Sequence, residues 1–438
     1  MSRTLRGFGA TIAAVALVAA GCGGDGDGGG PAEGSLKGET VEVVGSWTGA
    51  EQEKMKMVLD AFAERTGAKV TYTSGGDDIA AFIGSQIEGG TPPDVALLPQ
   101  PGLLNDLAAQ GALKPVSEKV EAAVDENYAE VWKTLGSVDG KLYGVWWKAA
   151  NKSLIWYNVQ AFEDAGADVP ETWEDLQNTM QVIADSGVAP LSVGGADGWT
   201  LTDWFENVYL QVAGPENYDK LTRHEIPWTH ETVKETLTIL GELWGSENAI
   251  PGGPKGALQV KFEQSVVDVF GDNPKAAMVF EGDFVAGVIG SESNAVVGET
   301  AQFFKFPEIK EGSGNAVVGA GDVAVALSDS KGAMGLLEFL ATPEAAEIWA
   351  AEGGFISPNK NVNMDVYPDE PTREIAQALI DAGDNFRFDM SDLQPAAFGA
   401  TVGKGMWKIL QDFLADPTSV DKTAEALEAE ASKVDKER

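Results

Sequence analysis

The feature that most limits how this chain can fold is the alternation of apolar runs and amphipathic segments between residues 41 and 111. VEVVGSW (residues 41–47) is apolar and of strand length. TGAE follows, with Thr48 and Glu51 at capping-box spacing: the hydroxyl can take an early helical N–H and the carboxylate can reach back. The helix they open aligns Met55, Val58, Leu59 and Phe62 on one face and stops at Gly67. KVTYTSG alternates Val70 and Tyr72 as a second strand. DDIAAFIGSQIEGG is a second helix, PPDVALLPQ a third strand and GLLNDLAAQG a third helix. Strand, helix, strand, helix, strand at this pace predicts an α/β lobe with a mostly parallel sheet.

The pattern then changes. In VDGKLYGVWWKAANKSLIWYN, Asp139-Gly140 signals a turn, and two apolar runs flank the polar KAANKS. These runs read as strands passing from one lobe to another. PETWEDL opens a helix, with Thr172 as cap and Trp173 and Leu176 packing. Helical patterns dominate from there to about residue 290. QFFKFPEI is a strand. GNAVVGAGDVAVAL reads as a strand pair returning to the first lobe, and the following segments are helical. No internal repeat is visible.

Repeated crossings between two rigid bodies make a hinge with a cleft at the seam. The expected division is residues 41–147 and 311–360 in one lobe, and 148–310 and 361–438 in the other. Ligands in open α/β sheets sit at the carboxyl ends of strands. Those ends carry Trp47, Gln100, Lys148 and Asp322.

The N-terminus has its own logic. Arg3 and Arg6 precede an uncharged apolar run at residues 11–20, shorter than the ~20 residues a spanning helix needs. This is the form of a secretory signal. The run ends in small residues at Gly21-Cys22, and Cys22 is the single cysteine among 438 residues. The junction resembles the lipobox of bacterial lipoproteins, departing from it at Ala19, where that family usually has Leu. The resemblance implies a signal peptide at residues 1–21, a lipid on Cys22 and anchoring to the outer face of the cytoplasmic membrane. Residues 22–40, rich in glycine and acids, read as a flexible tether.

Without residues 1–21 the chain has 417 residues, more than one core usually fills. The formal charge is −37, and −39 once Arg3 and Arg6 are gone. Such a surface repels nucleic acid and suits a neutral or cationic ligand, although acidity also serves solubility. His224 and His230 are the only histidines; no His/Cys cluster has metal-ligand spacing and no Ser/His/Asp arrangement is visible, so no cofactor or metal and no histidine-based catalysis is expected.

From residue 41 onward the chain resembles the substrate-binding lipoproteins of bacterial ABC importers, most closely the sugar-binding branch that serves α-glucoside uptake. The resemblance rests on the order of GTPPDVALLPQPG, KSLIWYN, PETWEDL, GWTLTDWFENVYLQVAGPENYDKL, AAMVFEGDF, VVGAGDVAVAL, FLATPEAAEIWAAEGGFISPN and FRFDMSDLQPAAFG. It implies a two-lobed periplasmic-binding fold that closes on its ligand, a permease as partner, a monomer, and no catalysis.

A sugar presents C–H faces and hydroxyl edges, so its site needs aromatic plates and carboxylates or amides. Trp132, Trp173 and Trp349 lie at helical core positions. Trp47, Trp147, Trp199 and Trp204 are the candidate plates, with Phe355 as a further one. Glu281 and Asp283 in FEGDF, with Asp203, Asp322, Asp389 and Asp392, are candidate hydroxyl partners. Asp203, Asp389 and Asp392 are equally good helix caps. Glu51 and Asp77, at the starts of the first two helices, complete the set. A glycosidase would need two carboxyls either ~5–5.5 Å or ~6.5–9.5 Å apart across the sugar. Two acids on one strand face leave no room for it, so binding is the better reading of Glu281 and Asp283. A quaternary ammonium osmolyte held by the tryptophans stays open as an alternative. So does a purely structural surface lipoprotein, although that role needs no hinge.

Overall fold

The computed structural model describes residues 30–382 and 385–437. The signal segment and Cys22 lie outside the described residues.

Each lobe is built on its own sheet. In the first, Thr40–Gly45 lies between Lys69–Ser74 and Val95–Leu98, all three parallel, as the alternation predicts. Val95–Leu98 is buried at every residue and forms the middle of the sheet. Val317–Ala326 pairs antiparallel with both Val95–Leu98 and Gly144–Asn151. GNAVVGAGDVAVAL is thus one long strand with a bulge between Asp322 and Val323, where a pair of strands is expected from the sequence. Glycines in its first half let it lie close to its neighbour: a Cβ on Gly321 would stand 2.4 Å from the Lys148 carbonyl.

The second sheet has the order Ala301–Lys305, Leu154–Asn158, Ala276–Phe280, Ala189–Ser192. Two of these strands fall in the stretch that reads as helical. APLS and AAMVF are too short to show a period of their own, and amphipathic helices surround them. The second core is organised by Trp199–Thr222, along which residues 200–212 are all buried. Gly214, at φ 74° and ψ 166°, breaks this helix just before Pro215.

The C-terminal segment does not leave the first lobe at residue 361. Glu370–Asp381 packs Ile375 and Ala376 into the first core, and Phe386–Phe388 pairs with Val317–Ala326. The chain passes to the second core only at Met390, after which Gly405–Ala415 and Val420–Glu437 pack there. The change of partner comes at a strand of three residues that no sequence period marks.

The final helix is tied down by His224. Its Nδ1 lies 2.5 Å from Asp435 Oδ2 and its Nε2 3.1 Å from Glu428 Oε2. Partial burial disfavours the imidazolium, but the two carboxylates outweigh it and raise the pKa above its ordinary value of 6.5. A raised histidine contributes stability below pH 6.5 and loses it as pH rises through the folded-state value. His224→Asn should therefore cost about 1 kcal/mol at pH 6 and much less at pH 9, read from urea unfolding midpoints at the two pH values.

Candidate ligand-binding cleft

Two lysines four residues apart organise the seam between the lobes. Lys148 stands in the strand Gly144–Asn151 of the first sheet, and Lys152 just beyond it, where the chain crosses to Leu154–Asn158. Both are buried, at 3% and 8% exposure. The crossings are stitched to one another by backbone and side-chain bonds. Lys152 N donates to Val318 O (2.9 Å), and Asp283 N to Asn151 O (3.1 Å). Asn151 N returns to Asp283 Oδ1 (2.7 Å), while Ser153 Oγ donates to Asn207 Oδ1 (2.6 Å).

Lys148 Nζ donates to Glu51 Oε1 at 2.6 Å and lies opposite Asp322 in the strand pairing. Thr48 does occupy the N-cap position, but its side chain makes no capping bond. The expected capping box is not formed, because the Glu51 carboxylate turns to Lys148 instead. Around the ammonium stand the rings of Trp349 (5.3 Å), Trp47 (5.7 Å) and Phe284 (5.7 Å). Burial raises Asp322 to about 7 and Asp283 to about 6, with Lys148 holding both back from going higher.

Lys152 sits among carboxyls. Its Nζ donates to Asp389 Oδ2 (2.7 Å) and Asp203 Oδ1 (3.0 Å) and lies 5.6 Å from the centre of the Trp199 ring. Burial opposes the Asp389 charge. Lys152 and the hydrogen bonds around this carboxyl outweigh it and hold Asp389 well below the ordinary carboxylate range. Ser391 Oγ (2.8 Å) and Asp392 N (3.1 Å) both donate to Asp389 Oδ1, so Asp389 is the cap of the short helix Met390–Leu393 as well as the partner of Lys152. Burial raises Asp203 to about 7. Burial, with Asp203 next, raises Glu281, and burial, with Asp389 next, raises Asp392. One ammonium cannot neutralise this many carboxyls, and burial favours their neutral form, which can donate as well as accept.

The arrangement leaves polar atoms over. Among the described residues, Asp203 Oδ2, Asp283 Oδ2, both oxygens of Glu281 and Gln100 Oε1 are buried with no hydrogen-bond partner. Such atoms are costly unless something satisfies them. They come from both lobes and the crossings between them. No group of His, Cys, Asp and Glu among the described residues is placed to hold a metal ion.

The two lobes touch on either side of this centre. On one side a Cβ on Gly102 would stand 1.8 Å from the Gln394 carbonyl, and Ala396 N donates to Asp106 Oδ2 at 3.2 Å. On the other side a Cβ on Gly354 would stand 2.8 Å from Gly287 Cα.

Trp47, Glu51, Lys148, Asp283 and Asp322 thus gather in one group, and Trp199, Asp203, Glu281, Asp389 and Asp392 in the other. Trp204 goes elsewhere: it is 1% exposed, with its ring 4.3 Å from Phe280 and 5.9 Å from Phe306, and is core of the second lobe. Trp147 and Phe355 are fully buried against each other, centroids 5.2 Å apart, behind the cleft wall. Gln100 is buried at the N-cap of Pro101–Ala109. The Asp77 side chain lies outside the described residues.

Four residues without a signal of their own in the sequence join these two groups. Lys152 is the second lysine of KAANKS, and Phe284 ends FEGDF. Trp349 reads as helical core but turns its ring to Lys148 and meets Trp47 at 4.9 Å and 81°. Glu206 gives no signal, lying within an apolar helix. Its carboxylate accepts from Met390 N (2.6 Å), Ser391 N (2.9 Å) and Tyr218 Oη (3.2 Å), and so holds the Asp389 segment in place.

Comparison with known proteins agrees with this architecture. Residues 45–347 match the family described as bacterial extracellular solute-binding protein. The "Osmoprotective compounds-binding protein GgtB" of Synechocystis sp. (strain ATCC 27184 / PCC 6803 / Kazusa) is 36% identical, over 88% of this chain and 91% of its own. The "Alpha-glucosides-binding periplasmic protein AglE" of Rhizobium meliloti (strain 1021) is 37% identical, over 89% of this chain and 86% of its own. Among solved structures, the solute receptor AcbH superposes with a TM-score of 0.77 at 20% identity, covering 90% of this chain and 99% of its own. The chain belongs to the bacterial extracellular solute-binding protein family. It is an exported solute-binding receptor of an ABC importer, with the two-lobed periplasmic-binding fold and sugar-binding homologues.

Proposed function

We propose that this protein captures a neutral α-glucoside-like mono- or oligosaccharide between its lobes and delivers it, chemically unchanged, to the permease of its importer. The observation that carries this reading is the set of buried, unpartnered oxygens of Asp203, Asp283 and Glu281, flanked by aromatic rings. Hydroxyls satisfy such acceptors. The relative named for α-glucosides supports the same ligand class. A ligand shifts the lobes toward closure only through its preference for the closed state, which contacts from both lobes provide.

The second reading is an osmolyte carrying a quaternary ammonium, and the relative named for osmoprotective compounds is the reason to weigh it. Against it stand the cleft's own ammoniums: Lys148 and Lys152 already lie over the rings that would receive such a cation. Cys22 carries the lipid in this account, and the receptor works as a monomer on the outer face of the membrane. Cys22→Ser should move the protein from the membrane fraction to the soluble exported fraction.

A thermal-shift screen of the purified protein against maltose, trehalose, sucrose, monosaccharides and glycine betaine tests the ligand class. A ligand at 100 times its Kd adds about 2.7 kcal/mol, enough for a clear rise in midpoint. A rise with one of the sugars is expected. A rise with betaine alone sinks the carbohydrate reading and leaves the receptor.

A further inference from the structure

The surroundings of Lys148 have the composition of a cation-binding site. The rings of Trp47, Trp349 and Phe284 stand 5.3–5.7 Å from its ammonium. Two of them meet nearly at right angles, 81° apart, so they form two walls of a box. Glu51 supplies a carboxylate at 2.6 Å, and Asp283 and Asp322 add negative charge nearby. Aromatic faces and carboxylates around one positive centre are what proteins use to hold trimethylammonium groups. Here the centre is a side chain of the protein itself. Phe284 arrives on the crossing that follows Ala276–Phe280 of the second sheet, whereas Trp47 follows Thr40–Gly45 of the first. The box is therefore complete when the two lobes are together.

We infer that Lys148 is a specificity-determining residue: its ammonium fills the aromatic box of Trp47, Trp349 and Phe284 and so closes the cleft to quaternary ammonium ligands, leaving it to neutral solutes. This deepens the carbohydrate reading and rests on the ligand occupying this cleft. A lysine that served only to anchor Glu51 would carry no such consequence. Removing its charge would then loosen the start of the helix Gly49–Thr66 and would create no affinity for a cation.

The test replaces Lys148 by methionine, which keeps much of the stem and removes the charge. Wild-type full chain and Lys148→Met are titrated with tetramethylammonium chloride and with glycine betaine, read by tryptophan fluorescence and calorimetry, with sodium chloride as the ionic-strength control. The wild type should show no saturable response. Lys148→Met should bind tetramethylammonium saturably, at least about tenfold more tightly than the wild type, and the added change Trp349→Leu should abolish the gain. Saturable binding of either cation by the wild type overturns the inference, and so does a folded Lys148→Met that binds neither.

Should Lys148→Met not fold, the wild type still decides. In the protein labelled with 13C-lysine, the Lys148 ε-methylene protons, assigned by their loss in Lys148→Arg, should be displaced upfield by the ring currents. An ordinary lysine shift means that there is no box. Maltose, sucrose and trehalose are titrated alongside. If no sugar binds to the wild type, the carbohydrate reading fails by itself, while the cation titrations still judge Lys148.

Discussion

Lys152→Met is expected to lower the unfolding free energy by about 3–5 kcal/mol at pH 7, the usual cost of removing one partner from a buried ion cluster. The reason is arithmetic of charge in a dry place. Among the described residues, Lys152 is the one cation in hydrogen-bond contact with both Asp203 and Asp389, whose side chains are almost fully buried. Without it, Asp389 must ionise with no counter-charge or take up a proton at a cost. The deficit should depend on pH with a definite sign. In the wild type Asp389 has a depressed pKa, so its stabilising contribution is present above the ordinary carboxylate range and is lost as pH falls through its folded-state value. The variant lacks that contribution. The two proteins should therefore converge only as both solutions are acidified below the ordinary carboxylate range, and urea unfolding at pH 7 and pH 2 measures the convergence. A deficit that is the same at both pH values would mean that Lys152 acts through packing alone.

Glu281 should respond in the opposite sense. Neither of its oxygens has a partner among the described residues, and burial together with Asp203 raises its pKa. Glu281→Ala should weaken sugar binding by about ten- to a hundredfold, which corresponds to one hydrogen bond of about 1.5–3 kcal/mol. Glu281→Gln keeps a donor and an acceptor and should lose much less. Both changes relieve a buried carboxyl beside Asp203, so neither should lower the thermal midpoint of the unliganded protein. Loss of affinity without loss of stability marks a residue kept for the ligand. If Glu281→Ala unfolds early and binds sugar normally, Glu281 belongs to the scaffold.

The lobes and hinge were legible wherever the signal is local. The alternation after residue 40, the turn at Asp139-Gly140 and the polar KAANKS between two apolar runs each reflect the backbone's own needs, and each has its counterpart in the structure. Strands of three to five residues, such as Phe386–Phe388 and Ala276–Phe280, carry too few positions to show a period. Their place is decided by the sheet they join. The site was legible in residue type more than in grouping. Carboxylates and tryptophans at strand ends and helix starts do gather around Lys148 and Lys152. Nothing local tells that Trp204 turns inward to Phe280 while Trp199, five residues earlier, faces Lys152. Nor does Glu51 reveal its partner: its capping-box spacing is real, but an ammonium 97 positions away offers a stronger bond than the backbone N–H. Lys152 gathers Asp203 and Asp389 from 51 and 237 positions away, a relation that exists only once both lobes have formed.

The most direct test of the central claim is a calorimetric titration of the purified protein with maltose, trehalose and sucrose, followed by denaturation and chromatography of the bound sugar. The account predicts saturable one-to-one binding of at least one of them and its recovery intact. Failure of every neutral sugar to bind, or recovery of the sugar as cleavage products, would contradict it.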